Sequence, residues 1–82
     1  KKEKIYLFEN LKRLGFTVFH SEANFLFCRT EKNITEICEK LEENGVIIRP
    51  VDGFDPNWNY MRITIGKPSE NRFLIKQLKK IC

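Results

Sequence analysis

The stretch YMRITIGKPSEN, residues 60–71, holds a strand, a stop and a helix start in one short run. Read with a period of two, Met61, Ile63 and Ile65 fall on one face, and Tyr60, Arg62 and Thr64 on the other. The first face is suited to a core. The second puts a permanent cation between a phenol and a hydroxyl, an arrangement that suits an anion. Gly66 breaks the pattern and Pro68 can occupy a first helical turn. Leu74, Ile75, Leu78 and Ile81 then give the last helix its apolar stripe.

Working outward, residues 2–14 read as a helix, with Ile5, Phe8, Leu11 and Leu14 on one side and Gly15 placed to end it. Phe16 to Phe19 reads as a short strand. After the polar break His20-Ser21-Glu22, a strand runs from Ala23 to Arg29, with Ala23, Phe25 and Phe27 alternating against Asn24, Leu26 and Cys28. Asn33 is a good N-cap with Glu36 three residues on, as in a capping box. Ile34, Ile37, Cys38 and Leu41 form the stripe of that helix, and Asn44-Gly45 closes it. Val46 to Arg49 reads as a strand ended by Pro50, followed by a turn-rich loop before Tyr60.

The expected order is therefore α-β-β-α-β-β-α. It implies an α+β (α/β) fold: a small antiparallel or mixed sheet of three to four strands with helices on one face. Arg62 would project from the other face.

With 82 residues, the chain suffices for one domain with a single modest core. The absence of an initial Met suggests a piece of a longer chain or a processed product. No apolar run approaches the ~20 residues that span a bilayer, and no signal-peptide pattern is present. Cys28, Cys38 and Cys82 show no CxxC or Cys/His spacing, so free thiols in a reducing cytoplasm are expected. The net charge of +4 gathers at the two ends, and no basic stripe is interleaved with aromatics. Neither nucleic acid nor membrane is an expected partner.

Two arginines remain, each interrupting or ending a strand: Arg49 and Arg62. If their strands pair, two guanidinium groups can converge on one carboxylate or phosphate. The alternatives are internal salt bridges to Glu22, Asp52 or Asp55, or plain exposure. Asn24 could bond a ligand or cap a turn, and Trp58 could stack on a ligand or cover one end of the core. His20 has no nucleophile at a diagnostic spacing and reads as a surface residue. No nucleophile with its base and no metal cluster is visible, so no catalytic, cofactor-binding or metal residue is assigned.

SEANFLFCR (21–29), GVIIRP (45–50) and YMRITIGKPSEN (60–71) together resemble the C-terminal small domain of histidinol-phosphate aminotransferases, enzymes dependent on pyridoxal 5'-phosphate (PLP). The resemblance covers nearly all of residues 1–82 as one domain. It implies a larger parent that transfers an amino group between histidinol phosphate and 2-oxoglutarate, in histidine biosynthesis. In that parent, Arg62 and Arg49 would bind substrate anions and Asn24 would lie toward the site. The Schiff-base lysine and the cofactor's other holders would belong to a large domain outside this chain, within a homodimer. The piece alone would be inert and bind no PLP. A threonine-phosphate decarboxylase is the alternative within the subgroup. A stand-alone anion-binding module is the alternative of another class.

Overall fold

The computed structural model describes residues 2–20, 24–53 and 55–82. Its elements run α1 (Lys2–Arg13), β1 (Thr17–Phe19), β2 (Phe25–Thr30), α2 (Ile34–Glu43), β3 (Pro50–Val51), β4 (Asn59–Thr64) and α3 (Pro68–Ile81). The four strands form one antiparallel sheet in the order β1-β2-β4-β3. The fold is α+β, with the expected succession of elements but one of them displaced.

Register decides which side chains meet the helices. Leu26 pairs with Ile63 and Cys28 with Met61, so these four share one face, and all are buried. Leu7 and Leu11 of α1, Ile34, Ile37 and Leu41 of α2, and Leu74, Ile75 and Leu78 of α3 complete a single cluster with them. Three amphipathic helices thus pack on one side of the sheet. Truncating any of these aliphatics to Ala removes both transfer energy and packing, about 2–5 kcal/mol.

Helices α1 and α2 end in the same device. Gly15 at φ +97° and Gly45 at φ +86° adopt the left-handed conformation that other residues avoid. Behind them Phe16 N–H donates to Leu11 O at 3.1 Å and Val46 N–H to Leu41 O at 2.9 Å, the long bond of a Schellman motif. Asn33 caps α2 as expected, its Oδ1 accepting from Glu36 N–H at 3.1 Å. Glu36 does not close the capping box by reaching back to the Asn33 N–H; its carboxylate lies 3.4 Å from Lys40 Nζ.

One strand departs from expectation. Residues 46–49 keep the in-out alternation, with Val46 and Ile48 packed against the core and Ile47 and Arg49 exposed. They nevertheless form no ladder. Strand β3 is confined to Pro50–Val51, opposite Met61 and Tyr60. The chain has just left the α2 cap at Val46, and Pro50, lacking an N–H, sits on the sheet edge where its missing donor costs nothing. A continued register would also place Arg49 directly across from Arg62, a like-charge pair that opposes pairing. Alternation reported which way these side chains face, not whether their backbone pairs.

The face away from the helices carries Phe19, Phe25, Phe27, Arg29, Tyr60 and Arg62. Tyr60 is buried there, because the loop after β3 crosses above it; a Cβ on Gly53 would collide with the Tyr60 ring.

Candidate functional site

The short β3 leaves the edge of β4 uncovered beyond Met61. A cleft of about 690 Å³ fills that gap, bounded by residues 45–49 on one side and by Arg62, Thr64 and the first turns of α3 on the other. Arg49 and Arg62 both line it. Among the described residues neither arginine forms an ion pair, so bridges to Asp52 and Asp55 are not made; Glu22 lies outside the described residues. Two exposed guanidinium groups on one concave surface present planar, bidentate donors to a carboxylate or phosphate.

The α3 bank of the cleft is firmly tied. Asn71, buried, accepts from Gly66 N–H at 3.0 Å and donates to Gly66 O at 3.0 Å and to Glu3 Oε1 at 3.1 Å. Glu70 Oε1 accepts from Lys67 N–H at 2.8 Å. The phrase Gly66-Lys67-Pro68-Ser69-Glu70-Asn71 is thus a staple that fixes the turn between β4 and α3. Because the Glu70 carboxylate already answers the positive end of α3, the cleft's pull on an anion comes from the arginines. Arg72 extends the tie to α1, lying 3.1 Å from Glu3 Oε1 and stacking on Tyr6 with its guanidinium carbon 4.5 Å from the ring centre. Asn71 and Arg72 together hold the Glu3 carboxyl below the ordinary glutamate range.

Asn24 stands apart from the cleft. Its backbone oxygen accepts from Ile65 N–H at 3.0 Å and its side-chain amide lies 3.4 Å from Ile65 O, so it prolongs the β2–β4 pairing by one residue. Ser21 and Ala23 of the same phrase lie outside the described residues. His20 is exposed and stacks on Phe8, ring centres 4.4 Å apart. Trp58 covers no part of the core cluster; it lies against Arg29, whose guanidinium carbon is 4.3 Å from the indole and 5.6 Å from Phe19. Arg29 is the residue that sequence reasoning passed over. Its signal was the period of two, which sets Phe25, Phe27 and Arg29 on the face of Arg62. Its Nε is buried with no hydrogen-bond partner among the described residues, and its guanidinium lies against Trp58, outside the cleft lining.

The described residues contain no cluster of metal-ligating side chains and no helix long and apolar enough to cross a membrane. Cys28 and Cys38 are buried free thiols, and Cys82 is an exposed one. Burial pushes the Cys28 thiol up to about 12, which makes it inert.

No protein-family model matches the chain. Individual proteins do. A histidinol-phosphate aminotransferase of Archaeoglobus fulgidus is 37% identical over 81 residues, which are 99% of this chain and 24% of that protein. Another, of Psychrobacter arcticus, is 42% identical over 73 residues, 87% of this chain and 19% of that protein. The crystal structure of the histidinol-phosphate aminotransferase from Clostridium acetobutylicum superposes with a TM-score of 0.84 at 28% identity, over 98% of this chain and 25% of that one. The chain is similar to part of an aminotransferase. It spans about a quarter of the length of the relatives it matches or less, and the match extends over most of this chain rather than one short motif.

Proposed function

We propose that this chain is the C-terminal small domain of a PLP-dependent aminotransferase acting on histidinol phosphate and 2-oxoglutarate, in which Arg62 and Arg49 clamp substrate anions. One observation carries the reading: two arginines distant in sequence line one cleft, and neither is neutralised by a described carboxylate. Both proposed substrates are anions that need fixed cations on one side of a closing site. The similarity to histidinol-phosphate aminotransferases over 99% of the chain supplies the name of the substrate.

The cleft does not fit PLP itself. Among the described residues its lining contains no lysine to bond the cofactor's aldehyde, so cofactor and chemistry are assigned to a large domain of the same parent, a cytoplasmic homodimer. This chain's part is to bind and orient. Asn24, bonded to Ile65 and outside the cleft lining, is assigned the lesser role of holding the start of β2.

The test uses the full-length parent. Amino transfer from histidinol phosphate to 2-oxoglutarate supports the reading, whereas carbon dioxide release from threonine phosphate moves the assignment to the decarboxylase. Arg62→Lys keeps the charge but loses the fork, and removing a charge-assisted hydrogen bond lowers kcat/KM by about 10- to 100-fold. Unchanged kinetics would take Arg62 out of the site.

A further inference from the structure

We infer that Phe25 is a positioning residue for Arg62, a ring that steadies the guanidinium beside the cleft. The inference rests on the anion-clamp reading above. Phe25 opens β2 opposite Thr64, on the same sheet face as Arg62, which makes the two diagonal neighbours across the strands. The Arg62 guanidinium carbon lies 5.2 Å from the Phe25 ring centre, within cation–π range.

The geometry suits a binding residue. A ring can occupy the face of a guanidinium while anion recognition uses the N–H donors at its edge, so the two contacts need not compete. An exposed arginine with no ion pair among the described residues would otherwise wander among many rotamers and lose that freedom on binding. A ring already beneath it removes part of that loss beforehand. Arg29 provides the contrast on the same face. Stacked by Trp58 and Phe19 and buried at Nε, it has an aromatic support but no cleft. Arg62 has both.

Inorganic phosphate, titrated into the 82-residue chain and followed at the Arg62 Nε–Hε resonance, is the probe. In the free chain that resonance should carry a ring-current shift, lost in Phe25→Leu and kept in Phe25→Tyr. Phe25→Leu should weaken phosphate binding by about two- to fivefold, Phe25→Tyr should restore it, and the melting temperature should separate this from general damage. In an Arg62→Ala background, Phe25→Leu should have no further effect. If Phe25→Leu binds phosphate like the parent sequence while Arg62→Ala does not, Phe25 has no positioning role and the clamp reading stands. If Arg62→Ala binds phosphate undiminished, the clamp reading fails and this inference with it. An Arg62 resonance without a ring-current shift in the unaltered chain overturns the inference even if a variant fails to fold.

Discussion

The two banks of the cleft are built on opposite terms. On one, the turn from β4 into α3 is tied by Asn71 on both polar groups of Gly66 and by Glu70 on Lys67. On the other, residues 46–49 run between α2 and the sheet edge without a ladder. Arg62 stands on the tied bank and Arg49 on the loose one. One arginine therefore stands on backbone tied by its neighbours, while the other stands on backbone that makes no ladder bonds.

The contrast breaks most easily at Asn71. Asn71→Ala removes the partner of the part-buried Gly66 N–H and carbonyl and the contact with Glu3. Part-buried groups regain some bonds from water, so a loss of about 1–3 kcal/mol is expected, or on the order of 10 °C in Tm for a domain of this size. Arg49→Ala, exposed and without a ladder bond, should stay within about 0.5 kcal/mol. Thermal melts of the two variants decide it: equal losses would mean that both banks are structural in the same degree.

A smaller effect sharpens the same comparison. If like charge keeps Arg49 from settling across from Arg62, Arg49→Thr removes the repulsion and adds a strand-forming residue. Amides of residues 46–49 should then exchange more slowly, with a gain of about 0.5 kcal/mol. Unchanged exchange would place the cause elsewhere, in the geometry of leaving the α2 cap.

The tied bank was legible in the sequence and the loose one was not, for a physical reason. Gly66, Pro68 and the Leu74-Ile75-Leu78 stripe act locally, within one or two turns, so their residue types announce the break and the helix. Alternation in β2 and β4 is likewise local: β4 lies within a residue of its expected place, and β2 ends one residue later than expected and begins at Phe25 rather than at Ala23, which lies outside the described residues. Whether 46–49 pairs depends on what stands across from it, fifteen or so residues away, and alternation holds no information about that. The cleft exists because that pairing stops at Pro50. The site residues were legible as an isolated cation in a strand, while their meeting in one cleft needed the register. Tyr60 was placed on its correct face, yet its burial came from a loop whose path no local pattern sets.

The finest test concerns how far the tie extends, because Glu3 carries it from α3 to α1. Its carboxyl is held below the ordinary range, first by the hydrogen bond from Asn71 and then by the Arg72 charge. A group whose pKa is lower folded than unfolded binds protons more readily in the unfolded chain. Its contribution is therefore fully present above the ordinary glutamate pKa and drains away as the pH falls through the depressed value. Glu3→Gln keeps an acceptor for Asn71 but has no charge to lose. Urea melts at pH 7 should show the unaltered chain slightly the more stable, and the gap should close as the pH falls below the ordinary glutamate range. A gap that persists into acid would mean that Glu3 acts by packing alone. Arg72, stacked on Tyr6, would then be left to hold α1 against the bank that carries Arg62.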